Sequence, residues 1–343
     1  MSDPTDVPPQ WGAVRLFNDE IEAVVLTQKG ADIYSLVDRR SGVDVLFKAP
    51  WGARTPSGVN PLATTSERWL DAYPGGWQVL LPNGGDECVQ YGVTWGFHGE
   101  AAMIPWTVLA RNETSLTLAT DLVTAPLKVR REITLEGSVL RVAETVTNVS
   151  PQSVEVMWSH HPAFGAPFID ETCVISAGCR TLVADAETPG TVLEAGSTHS
   201  WPVAHDPRGD LVDFAKVPSR ERPRSVLAYL TEFDSGYFAI TNPTLGLGVG
   251  VRWPLEVFDK AWLWQEMNSL KDWPWFQRAY VMAIEPASTV PGHGMSQARA
   301  LGQHGIEFSA GASKDVLIEV VLFEGTGEVA GIDPGGVVRW ATT

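Results

Sequence analysis

The sequence predicts an all-β chain, a large antiparallel β-sandwich with a few short helices. Three observations carry that expectation. Apolar residues alternate at period two along most of the chain. Short turn signals join successive runs, leaving no room for a crossover helix, so the sheets should be antiparallel. Only two stretches have helical character, and both are short.

In chain order, Arg40-Ser41-Gly42 reads as a hairpin turn between early strands. Ser66 to Tyr73 reads as a helix ended by Pro74-Gly75-Gly76. Leu116, Leu118 and Leu122, then Leu127, Val129, Ile133 and Leu135, alternate as strand faces, and Glu136-Gly137-Ser138 turns the chain into the next strand. Val154, Val156 and Trp158 continue the pattern. In Leu245-Gly246-Leu247-Gly248-Val249-Gly250-Val251 one face carries every large side chain and the other is bare, so its back should lie against another segment or a ligand. A second helix is expected from Met295 to His304, stopped by Gly305. Val316 to Phe323 is apolar on nearly both faces and should lie centrally. No repeat of 20 to 50 residues and no Gly/Ser or charged linker interrupts the pattern, so residues 1–343 are expected to form a single domain.

Composition narrows the function. Of 343 residues 44% are hydrophobic and 19% charged, enough apolar material for a large core. The formal charge of −16 would repel phosphate backbones and anionic lipid, so no nucleic acid and no membrane partner is expected, whereas a neutral small molecule fits. The opening Met1-Ser2-Asp3-Pro4-Thr5-Asp6-Val7-Pro8-Pro9 has neither a basic start nor an apolar run, which reads as cytoplasmic. Cys88, Cys173 and Cys179 are odd in number and lack a CxxC pair, so they are expected to be buried thiols rather than disulfides or zinc ligands.

Fourteen tryptophans are many for this length, and several sit beside Gly or Pro: Trp51, Trp77, Trp95, Trp253, Trp273 and Trp275. An indole can stack on the C–H face of a pyranose and still donate its N–H to a hydroxyl, so some of them are expected to line a cleft; filling a large core is the plainer use. Three polar islands break the strand pattern. The first runs from Gly75 to Glu87 and on to Trp95-Gly96-Phe97-His98-Gly99-Glu100, with His98 presented on a turn. The second is Trp158-Ser159-His160-His161-Pro162-Ala163-Phe164-Gly165. The third is Ile284-Glu285-Pro286, a carboxylate at the end of an apolar run. Adjacent strand residues point to opposite faces, so His160 and His161 cannot both serve one site or one metal.

In this order the islands resemble the aldose 1-epimerase family, with its galactose mutarotase-like fold, and the likeness spans most of the chain. Gly30-Ala31-Asp32-Ile33-Tyr34-Ser35-Leu36-Val37-Asp38 with Gly42-Val43-Asp44-Val45-Leu46 looks like the family's first hairpins. Gly75-Gly76 to Pro82 and His98-Gly99 are similar to its GG…P and HG motifs. His161-Pro162-Ala163-Phe164 looks like H-[PT]-Y-F, with Ala163 in place of an aromatic residue, and Ile284-Glu285-Pro286 is similar to the late E-P motif.

The resemblance implies a mutarotase for an unphosphorylated aldose, with Glu285 as general base, His161 as general acid and His98 near the ring oxygen. Apart from the resemblance, Trp264 and Gln265 are expected from their position in Trp262-Leu263-Trp264-Gln265-Glu266 to wall the site, and Asn83 is a further candidate substrate contact. No metal or other cofactor is implied, and the chain would be a monomer or a homodimer. Many family members carry an arginine just after the proline of GG…P, whereas this chain reads Asn83-Gly84-Gly85-Asp86-Glu87, so that contact is absent or replaced. The acidic pair also speaks against a phosphorylated substrate.

Anomer exchange needs one group to take the O1 proton while another protonates the ring oxygen. An ionised Glu285 and a protonated His161 are the expected starting pair. Two other readings remain open: a non-catalytic carbohydrate-binding protein on the same scaffold, and a glycoside hydrolase or lyase using two of Asp86, Glu87, Glu266 and Glu285.

Overall fold

Period-two patterning becomes two large sheets in the computed structural model, which describes residues 7–54 and 63–342; the opening six residues of the N-terminal reading lie outside these. The larger sheet has eleven strands. Its order is Ala13–Phe17, Ile21–Leu26, Asp32–Asp38, Trp77–Leu80, Ser159–Gly165, Tyr280–Ala287, Lys260–Met267, Arg224–Thr231, Thr181–Ala184 and Thr198–Ser200, with Val43–Asp44 paired on Asp32–Asp38. The second sheet has eight strands, in the order Val174–Ala177, Tyr237–Asn242, Leu247–Arg252, Ser313–Glu324, Val139–Asn148, Leu127–Glu136, Ser115–Asp121 and Thr107–Arg111. The pairings within both sheets are antiparallel; hairpin neighbours such as Leu127–Glu136 and Val139–Asn148 are joined by short turns, whereas Ser159–Gly165 with Tyr280–Ala287 and Val139–Asn148 with Ser313–Glu324 pair segments far apart in the chain. The result is a large antiparallel β-sandwich, as the alternation predicts.

One apolar core joins the inner faces. Leu116, Leu118, Val129, Ile133 and Val142 of the smaller sheet pack in the same cluster as Leu36, Val79 and Leu263 of the larger. The strand Ser313–Glu324 is fourth of eight, as its two apolar faces required. On Leu247–Arg252 the bare face is occupied: a Cβ on Gly248 would lie 2.2 Å from Phe323, and one on Gly250 would lie 2.6 Å from Ile332. A local layer of Phe323, Val329 and Ile332 covers that face.

Both helices form, with shifted ends. Helix α1, Thr65–Asp71, starts at a capping box in which Thr64 and Glu67 exchange side-chain and backbone bonds. Helix α2, Gly294–Ala300, stops earlier than Gly305. Gly302, at φ +74°, takes the left-handed position, Gln303 N–H donates to Ala298 and Gly302 N–H to Arg299, a Schellman close. All three cysteines are buried and free. Among the described residues no helix is long and apolar enough to cross a membrane.

Candidate active site

The site is built on the outer face of the larger sheet. Antiparallel register sets Trp262 opposite Glu285 and Tyr229 opposite Trp262, while Ser159 pairs with Ala287 and Ala163 with Ala283, which puts His161 across from Glu285. One row therefore runs His161, Glu285, Trp262, Tyr229 over four neighbouring strands, all on one face because cross-strand partners share a face. His161 Nε2 stands 3.6 Å from Glu285 Oε1. That is just beyond hydrogen-bond range, so neither group consumes the other.

Over this row lies a cavity of about 280 Å³, toward the small end of ligand pockets. Its walls are aromatic. Trp69 of α1 stacks on Tyr73 at 4.8 Å and meets His98 edge-on at 4.7 Å. On the other side Trp264 lies 5.5 Å from His161 and 5.4 Å from Trp275, whose outer side packs on Trp51. Trp262 forms the floor, its indole N–H held by the Thr289 carbonyl at 2.8 Å.

His98 is fixed by a two-way bond. Its backbone N–H donates to the Gly85 carbonyl, and its Nδ1 accepts from the Gly85 N–H at 3.0 Å. In the neutral ring this leaves the hydrogen on Nε2, a donor. Burial, with the neighbouring His161, holds the His98 pKa well below the ordinary histidine value, so the ring is neutral. Gly85 is required at its position: at φ +75° a Cβ would lie 1.7 Å from the Gly292 carbonyl oxygen, so only glycine lets the two loops touch.

The protonation states expected for the pair are overturned. Burial raises Glu285 well above the ordinary carboxylate value and lowers His161 to about 4. The aromatic walls strip both groups of water, and desolvation penalises each charged form. Burial therefore favours the neutral forms of both groups, a protonated Glu285 beside an uncharged His161. Glu285 Oε2, His161 Nδ1, Tyr73 Oη and Trp69 Nε1 are all buried without a hydrogen-bond partner. These four polar atoms belong to residues lining the cavity and have hydrogen-bonding capacity left over.

Two expected contacts do not reach the cavity. Asn83 donates to the carbonyls of Asp86 and Gly96 and accepts from Met295 N–H, so its amide is spent tying the Pro82–Asp86 turn to α2. Gln265 is fully buried on the opposite face of its strand, since it adjoins cavity-lining Trp264 at period two. His160 likewise faces the core, accepting from Trp77 Nε1 at 3.1 Å, with Nε2 3.2 Å from Glu144. Among the carboxylates considered for hydrolysis, Asp86 and Glu285 line the cavity, whereas Glu87 accepts from Thr65 and Glu266 from the N–H groups of Ser269 and Leu270.

Sequence reasoning missed Trp69, Tyr73, Trp262 and His293. Of the tryptophans beside Gly or Pro, only Trp275 lines the cavity; Trp77, Trp95 and Trp253 are core residues donating to His160 or to backbone carbonyls. A better signal lay in Trp262 and Trp264, which alternate on one strand directly beside the strand of Glu285.

The chain matches the family described as a domain of unknown function, DUF4432, over residues 11–322. No curated protein matches it in sequence. Its fold is similar to that of the Slr1438 protein of Synechocystis sp. PCC 6803, at TM-score 0.66 and 14% identity over 91% of this chain and 96% of that one. It is also similar to a galactose mutarotase related enzyme of Lactobacillus acidophilus, at TM-score 0.63 and 16% identity over 93% and 100% of the two chains. A GalM/aldose epimerase homologue of C. elegans aligns at TM-score 0.58 and 12% identity over 92% and 99%. At these identities the structural likeness speaks to the fold, while the match over residues 11–322 shows that this chain belongs to the DUF4432 family.

Proposed function

We propose that this chain is an aldose 1-epimerase acting on a neutral sugar, with Glu285 and His161 as its acid–base pair. The observation that carries the reading is the opposition of these two side chains, 3.6 Å apart, beneath an aromatic-walled cavity lined by unpartnered polar atoms. O1 and the ring oxygen of a pyranose are both bonded to C1, so two groups this close can serve both.

The reaction balances with a single shared proton. One group removes the O1 proton as C1–O5 breaks and C1=O1 forms, and the other delivers its proton to O5. Rotation about C1–C2 presents the other carbonyl face, and closure returns both protons with the roles exchanged. With the proton on His161, Glu285 takes the O1 proton and His161 supplies O5; with the proton on Glu285, ring opening needs the two roles exchanged, His161 taking the O1 proton and Glu285 supplying O5. Burial favours the second assignment, whereas the resemblance to the aldose 1-epimerase family implies the first, with Glu285 as base and His161 as acid. His98 Nε2–H, Tyr73 Oη and Trp69 Nε1 would hold hydroxyls while the indoles stack on the ring.

Polarimetry of freshly dissolved α-glucose and α-galactose tests this. Wild type should speed equilibration, and Glu285→Gln and His161→Asn should each lose roughly 10²- to 10⁴-fold. A protein that binds aldoses without changing their anomer exchange would be a carbohydrate-binding module, and the two roles would be withdrawn.

A further inference from the structure

Beyond Trp262 the row of the sheet ends in a second polar cluster. His293 is almost fully buried, with Nδ1 2.8 Å from Asp86 Oδ2 and Nε2 2.9 Å from Asp185 Oδ2. Carboxylates only accept, so both ring nitrogens donate and the ring is an imidazolium. The two carboxylates raise its pKa to about 10. Asp185 also accepts from Tyr229 Oη at 2.5 Å and from the N–H groups of Glu187 and Thr188, and Tyr229 Oη accepts from Gly292 N–H.

Every donor of His293 is therefore used inside the cluster. Asp86 is different: its side chain is 59% exposed and lines the cavity. What the cluster presents to a ligand is one carboxylate held in a fixed direction. Two carboxylates against one imidazolium leave a net negative charge, and neither lysine nor arginine lines the cavity. A second observation, independent of the cluster, points the same way: Trp69 Nε1 and Tyr73 Oη, on buried residues lining the same cavity, have no hydrogen-bond partner.

We propose that His293, clamped between Asp86 and Asp185, positions Asp86 as the acceptor for hydroxyls of a neutral sugar and sets the cavity against sugars that carry a carboxylate or phosphate. This rests on the carbohydrate reading above and adds its specificity residue. A hydroxyl loses water in the cavity and recovers a charge-assisted bond to Asp86, whereas an anionic substituent meets the net negative charge.

The test is a titration read by intrinsic fluorescence, since four tryptophans line the cavity. Glucose, galactose and glucuronate are the probes. Wild type should bind an aldose at least about tenfold more tightly than glucuronate, and Asp86→Ala and Asp86→Asn should weaken aldose binding by about tenfold and narrow that preference to within about threefold. Asp86 is exposed enough for these variants to fold, which circular dichroism checks. His293→Gln should raise KM for the aldose more than it lowers kcat. A preference unchanged in both Asp86 variants, or wild type binding glucuronate as tightly as glucose, overturns the proposal. Binding with this selectivity but without faster anomer exchange would sink the epimerase reading and leave the Asp86 role standing. Faster exchange with unaltered selectivity in Asp86→Asn would do the reverse, and failure to bind any of the three sugars overturns both.

Discussion

His160 and His161 are neighbours in one strand with unlike surroundings, because period two sends one to the core and the other to the cavity. For the cavity pair, burial sets the pH behaviour. His161 takes a second proton only near pH 4, and Glu285 keeps its proton well above the usual carboxylate range. The pair can exchange a proton only between those limits. Enzymatic mutarotation, corrected for the spontaneous rate, should therefore have its acid limb near pH 4 rather than near 6.5, and an alkaline limb belonging to Glu285. The same burial has a stability consequence. A carboxyl whose folded pKa is raised contributes stability below its unfolded value of 4.5, and that contribution is lost as pH rises toward the folded value. Glu285→Gln should thus match wild type in unfolding free energy at pH 4 and exceed it at pH 8 by about 1–3 kcal/mol, read by urea titration.

At the scale of elements, two glycines separate function from packing. Gly85 joins the loop before His98 to the loop of His293, and a Cβ there would strike backbone. Gly85→Ala should cost about 1–3 kcal/mol in urea unfolding, because a positive φ and a backbone clash coincide, and it should also raise KM by displacing both loops. Gly250 lies in the smaller sheet under Ile332, away from the cavity. Gly250→Val should cost a similar amount, about 1–3 kcal/mol of overpacking, and leave kcat and KM unchanged below the melting temperature. Loss of activity in Gly250→Val at full folding would refute the separation.

Across the whole molecule, the two sheets are pinned by a buried ionic group as well as by apolar contact. Arg131 of the smaller sheet pairs with Glu144 at 2.5 Å and donates to the carbonyl of Ala31, in the turn leading into the larger sheet's strand Asp32–Asp38, while His160 approaches Glu144 from the larger sheet. Arg131 and His160 hold Glu144 at about 2 against its desolvation. Its stabilisation is complete above its ordinary pKa of 4.5 and is lost as pH falls through about 2, of order 3 kcal/mol. Arg131→Met would strand a buried carboxylate and should cost about 3–5 kcal/mol. A chevron or urea titration at pH 7 measures it, and acid unfolding of the variant should begin at higher pH than in wild type.

The class of fold, its antiparallel connections, the central Ser313–Glu324 strand and the bare face of Leu247–Arg252 were all legible in the sequence, since each follows from alternation and turn residues local to a few positions. The opposite facing of His160 and His161 was legible for the same reason. Helix ends were less so: Gly302 and Gly305 both qualify as stops, and the hydrogen bonds to Ala298 and Arg299 chose the first. The cavity walls were not legible, because Trp69, Trp262 and His293 come from a helix, a strand and a loop that meet only when the sheet has formed. Protonation was also decided there. Alternation along a strand is local chemistry and can be read from the chain, whereas desolvation of Glu285 and the two carboxylates around His293 depend on what distant segments place beside them.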